Sequence, residues 1–171
     1  MNNRTTTHVL SIDSSSRNQT AYPSAAQYQI DLPQRYRNIW SAQLLNMVIP
    51  EMSPSQRVIC LKIDKLNSID STVSTGGVNF CFAKIPLLTT LANVYYADAM
   101  TLSFPTIPLQ NPIATMDRLS ISLTDLNGNV LSNIGNANNH TMTIQFNCGD
   151  YISNGGGSTI VQNGRILGGS R

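Results

Sequence analysis

The chain has 171 residues, of which 41% are hydrophobic and 12% charged, with a formal net charge of +2. That length suits one domain with a substantial core, and the apolar share excludes a disordered chain. Half the usual charge content of about 25%, with no strongly basic balance, argues against a nucleic-acid binder.

Met1 to Thr7 is polar and lacks the apolar stretch of a signal peptide. It is expected to be a flexible arm, residues 1–7, on a chain made in a cytoplasm-like compartment. No apolar run approaches the roughly 20 residues of a membrane span. Residues 8–148 carry the strand signals and are expected to form one domain.

Val9 to Asp13 opens with a short apolar–polar run, and Ser14 to Gln19 is polar and turn-forming. Tyr28 to Leu32 alternates with period two, as a half-buried strand does. Pro33 has no N–H for a ladder and is expected to stop that strand. Asn38 to Pro50 is the most apolar run and holds the only Trp. It is expected to be the central strand, with Trp40 and Leu44 in the core. Arg57 to Ile63 alternates around Val58, Cys60 and Leu61, and is expected to return as its hairpin partner.

Asp64 to Gly77 is polar and loop-like. Val78 to Ile85 alternates again, with Val78, Phe80 and Phe82 expected on its buried face, or Cys81 and Ala83 if the register slips. Leu87 to Tyr95 is the one helix candidate. Pro105, Pro108 and Pro112 force an extended, irregular crossing. Arg118 to Leu131 reads as a hairpin whose turn is Asn127-Gly128. Leu119, Ile121 and Leu123 face the core there. Thr141 to Cys148 is the last core strand, with Ile144 and Phe146 inward.

Residues 149–171 form a separate Gly-rich tail. Gly155 to Gly157 is a flexible joint. Ile160, Val161, Ile166 and Leu167 flank a second turn signal, Asn163-Gly164. An isolated hairpin is marginal in water, so these four are expected to contact another subunit.

Chemistry is sparse. Cys60, Cys81 and Cys148 are widely spaced with no C-x-x-C, and Cys60 and Cys81 sit in apolar runs as small core residues do. His8 and His140 lack metal-ligand spacing. Asp13, Asp31 and Asp117 read as strand-end or turn carboxylates. The Gly-rich stretches lack the Lys-Ser/Thr of a phosphate loop, and no nucleophile elbow occurs. No catalytic residue, cofactor site or metal site is expected.

Many short strands and closely spaced turns indicate an all-β sandwich of about eight antiparallel strands in two sheets. Pattern alone does not separate a jelly roll from an immunoglobulin-like sandwich. The opening SIDSSSRN…YPSAAQYQIDLP, followed by NIWSAQLL…VIP, resembles that of single jelly-roll capsid proteins of large icosahedral double-stranded DNA viruses. Met116 to Leu131 is similar to that family's penultimate hairpin, and His140 to Phe146 to its closing strand. The resemblance spans roughly His8 to Cys148. It implies a single jelly roll and a structural role in the virion. The position implied is a pentameric vertex (penton) protein or a minor capsid protein beneath the shell. The partners implied are copies of itself and the major and minor capsid proteins. The low charge agrees with a surface packed against neighbours, and equally with an all-β domain that tolerates a neutral surface.

Two other classes compete with the capsid reading. A carbohydrate- or receptor-binding jelly roll needs exposed aromatics, for which Tyr22, Tyr36, Tyr95 and Tyr96 are the candidates. A cupin-like enzyme needs a His/acid cluster, which His8 and His140 do not supply.

Overall fold

A computed structural model describes residues 5–50, 57–69, 79–87, 90–91, 94–98, 104–132 and 139–149. These form eight strands, all antiparallel where they pair: β1 (Thr5–Asp13), β2 (Gln27–Pro50), β3 (Val58–Ile63), β4 (Ala83–Pro86), β5 (Thr90–Leu91), β6 (Val94–Asp98), β7 (Ile107–Thr124) and β8 (Thr141–Gly149). One short 3-10 turn, Ser14–Ser16, follows β1. No strand of the expected helix at Leu87 to Tyr95 is helical where it is described: Thr90 pairs with Tyr95 and Leu91 with Val94. Short apolar runs are ambiguous between helix and strand. Here the edge of β2 decides, because Val94 to Asp98 pairs with Asn46 to Pro50.

β1 and β8 are the simplest pair. Their register runs unbroken from Thr5 against Gly149 to Asp13 against Thr141. The alternation of each strand survives in three dimensions: Leu10, Ile12, Met142, Ile144, Phe146 and Cys148 are buried. Thr5 to Thr7 belong to this ladder, so the expected arm of residues 1–7 is corrected at its C-terminal end. Gly149 likewise closes β8 rather than opening the tail.

β2 and β7 are long because each serves two sheets. Gln27 to Asp31 of β2 pairs with Arg118 to Ser122 of β7. Register then slips between Asp31 and Tyr36, and again between Ile39 and Ser41. Beyond the slips, β2 runs between β8 on one side and Ile107 to Ile113 of β7 on the other. One sheet is therefore β1, β8, the later half of β2 and the earlier half of β7, with β6 extending the β2 edge. The other is the earlier half of β2, the later half of β7, β3 and β4. This is the jelly roll, and a single core cluster joins the two sheets.

Pro33 does not end its strand. It sits inside the first slip, where no residue is paired, so its missing N–H leaves no ladder bond unmade. Asn38 completes the bend with φ of 51°, a left-handed conformation that Asn tolerates better than most residues. β3 is not the hairpin partner of β2. Both sides of β2 are occupied, and β3 pairs instead with Ile121 to Thr124 of β7 and with β4. That register lays Leu61 and Ile63 beside Leu123 and Ile121, all fully buried.

Two expected core residues are corrected. Trp40 is 41% exposed and Phe80 is 52% exposed. Trp40 falls in the second slip, where Ile39 takes the inward place at 0% exposure. Phe80 precedes β4, at a point where the alternation is interrupted: Cys81 bridges Ile69, Phe82 N–H donates to Leu61 O, and both Cys81 and Phe82 turn inward. Leu44, Phe82, Leu119, Ile121, Leu123, Ile144 and Phe146 are buried.

The turn after β7 lies at Asn127-Gly128, with Gly128 at φ +89°. Asp125 closes it: its carboxylate accepts from Asn129 N–H and from Asn129 Nδ2, both at 2.9 Å. The returning arm is a single bridge, Thr124 with Val130, rather than a second strand.

Candidate functional site

His8 and His140 are held apart by β1 and β8. His8 lies opposite Phe146 near one end, and its ring meets Tyr36 edge-on at 5.2 Å. Tyr36 continues to Phe146 at 5.3 Å, an aromatic row closing that end of the core. His140 is at the other end, just before Thr141, which pairs with Asp13. Among the described residues, no three His, Cys, Asp or Glu side chains gather as metal ligands do.

The His140 end is the most polar part of the interior. Arg17 is buried, yet no carboxylate faces it. Nε donates to Tyr22 O, Nη1 to Ser14 O and to Asn139 Oδ1, and Nη2 to Pro23 O, at 2.7 to 3.0 Å. A buried guanidinium without such partners would be strongly destabilising. Arg17 thus pins residues 14–23 over the end of the sandwich. Ser14 and His140 exchange backbone and side-chain bonds at 2.8 and 2.9 Å. Tyr28 Oη, from the other sheet, lies 3.1 Å from His140 Nε2. Burial pushes the Tyr28 phenol well above its ordinary range. Burial, with the Arg17 charge next, holds His140 down to about 4. The cluster stays neutral apart from Arg17 and offers no base and nucleophile pair. Asp13 accepts from Ser15 N–H at 2.8 Å, a bond that lowers its carboxyl, and so caps the 3-10 turn.

The other expected strand-end carboxylates are accounted for on the surface. Asp31 accepts from Arg118 at 2.7 Å, and Asp117 from Arg35 at 3.4 Å. Both pairs are exposed and tie β2 to β7 beside the Pro33 bend. None of the three cysteines is in a disulfide, and all are buried. Cys60 and Cys81, distant in sequence, hydrogen-bond one another, and that bond followed by burial pushes the Cys81 thiol up.

The four tyrosines weighed for glycan contact do not converge. Tyr36 is buried in the aromatic row, whereas Tyr95 and Tyr96 lie on β6 beside the late part of β2. Tyr22 lines a groove, an open cavity of about 710 Å³ over the second sheet with Gln27, Gln29, Lys62, Asp64 and Ser122. Gln29 is fixed in its floor, accepting from Tyr22 Oη at 2.9 Å and donating to Ser120 Oγ at 3.0 Å. Ile160, Val161, Ile166 and Leu167, expected at a subunit contact, lie outside the described residues.

What remains is surface, and it is divided. No Asp, Glu, Lys or Arg occurs in residues 5–12, 38–50, 107–116 or 141–149, which build most of the first sheet; its charges are Asp13 at the end of β1 and Asp98 at the end of β6. Its outer face is a ladder of amides and hydroxyls. Thr7 Oγ1 donates to Asn147 Oδ1 at 2.9 Å, and Asn147 Nδ2 donates to Ser41 Oγ at 2.8 Å. Gln43 accepts from Thr106 at 3.1 Å and donates to Phe104 O at 2.7 Å. Val9 and Trp40 stand exposed on it. The second sheet carries Asp31, Lys62, Lys84, Asp117 and Arg118 within its strands. Sequence reading missed this division. The run of uncharged strands was visible, but which of them share a sheet was not.

The first sheet thus presents a nearly uncharged, strand-built surface. No family model matches the chain. It is 60% identical over 168 residues to the penton capsid protein P1 of Paramecium bursaria Chlorella virus 1, covering 98% of each chain. The chain belongs to the penton capsid proteins of giant viruses. The matched length includes both sheets, the polar end and nearly all of the tail. As a penton-family capsid protein it is a structural component of the virion.

Proposed function

We propose that this chain forms the fivefold vertex of an icosahedral capsid as a homopentamer, in contact with major capsid proteins around it. The 60% identity to a penton capsid protein along 98% of both chains carries this reading. The role is structural rather than catalytic, with no direct contact to nucleic acid. A cyclic ring needs heterologous contacts, two different patches on each copy, and the two dissimilar sheets supply different surfaces. Native mass measurement on the full chain, with labelling of purified particles, tests the reading. The expected result is a species five times the 18.6 kDa chain mass and label at the fivefold positions. Single copies among unrelated neighbours would place it instead as a minor capsid protein.

A further inference from the structure

The uncharged sheet has two edges, and the β1 edge lacks the devices that guard an edge in water. β1 pairs only with β8 among the described strands. Its outer edge has no Pro, no bulge and no charge before Asp13. Proteins that keep such an edge in solvent normally guard it with Lys, Pro or a bulge. Val9, at 60% exposure, is the most exposed large apolar side chain described, and it stands on this strand. At the opposite edge, residues 107–115 of β7 expose Pro108, Gln110, Asn111 and Pro112 and carry no charge.

We infer that the uncharged sheet is the surface through which one copy meets the next: the β1 edge, with Val9, seats against residues 107–115 of a second copy. This rests on the ring reading and names its contact. Two different patches at opposite edges of one sheet make a heterologous contact, the kind that repeats around a ring. The chemistry selects the occupant. A neighbour of ordinary surface composition would bury charges here with no counter-charge to meet them. The uncharged half of a second copy brings none. The ladder through Asn147, Ser41 and Thr7 is already hydrogen-bonded, so little side-chain freedom is lost on contact.

The test uses the full chain with a photoreactive residue at position 9 and, as a control, at position 122 on the charged sheet. Irradiation of assembled protein and of particles is expected to join position 9 to a 107–115 peptide of another copy, with no copy-to-copy product from 122. Separately, Val9→Asp is expected to weaken self-association at least tenfold with the monomer's melting unchanged, while Lys62→Glu leaves assembly intact. A pentamer that survives Val9→Asp and shows no product at position 9 overturns this contact and leaves the ring reading standing. Crosslinking of position 9 only to a different capsid protein overturns the choice of occupant. A chain that is monomeric in solution and single-copy in particles overturns the ring reading and this contact with it.

Discussion

The two sheets share their longest strands, yet they present opposite surfaces. β2 and β7 each give one half to either sheet, and the charge changes where they cross. Past Asn38 the β2 half has none, whereas the earlier half carries Asp31 and is followed by Arg35 and Arg37 at the bend. β7 does the reverse, uncharged to Met116 and then Asp117 and Arg118. The low overall charge is therefore not a dilute surface. It is the average of one side with ordinary charge and one side with almost none. A protein that floated free would gain solubility by spreading its charges. Concentrating them on one side leaves the other fit to be covered. The interiors show no such asymmetry, since Leu44, Ile144 and Phe146 from one sheet and Ile59, Leu61 and Leu123 from the other are all at 2% exposure or less.

The comparison breaks first in the core, which belongs to both sheets. Phe146→Ala removes the ring that receives Tyr36 and opens a cavity between the layers. It is expected to cost about 3–5 kcal/mol, read by denaturant unfolding of the isolated chain. A loss under about 1 kcal/mol would mean the sheets close without it.

The polar end joins the sheets through Tyr28 and His140, so acid should loosen them there. His140 is held at about 4 in the folded chain against an ordinary value of 6.5. Below 6.5 the unfolded chain binds the proton and the folded chain resists it. The stability that neutral His140 contributes is thus present above pH 6.5 and lost as pH falls toward 4. Some 2.5 pH units correspond to about 3 kcal/mol. Denaturation series between pH 7 and 4 should show this slope, and His140→Gln should flatten it.

Gly128→Ala probes the charged side alone. Its φ of +89° strains any residue with a Cβ, while the added methyl meets Asn79 only at ordinary contact distance. The expected cost is about 1–2 kcal/mol, measured by thermal melting, with no effect on assembly.

The smallest effects on folding separate the surfaces. Arg118→Ala breaks an exposed pair with Asp31 and should cost under about 1 kcal/mol, less at high salt. Trp40→Ala should also cost under about 1 kcal/mol in the isolated chain, because the ring lies outside the core. A cost of several kcal/mol on melting Trp40→Ala would return the residue to the interior.

Much of this molecule was legible from the chain. Alternation located β1 and β8 and the inward Leu119, Ile121 and Leu123, because a half-buried strand must put every second residue in oil. Asn127-Gly128 marked its turn, because few residues accept positive φ. Tertiary structure alone decided the rest. Trp40 sits in the most apolar run, but a one-residue slip turns it outward, and slips are set by neighbouring strands rather than by composition. Pro33 passes through a strand because its position happens to be unpaired. Cys60 and Cys81 touch, and Arg17 reaches Asn139, through contacts between segments far apart in sequence. The division of charge between two faces follows from which halves of β2 and β7 lie in which sheet. Each residue's charge is written in the chain, but its side of the molecule is fixed only when the long strands bend and pair.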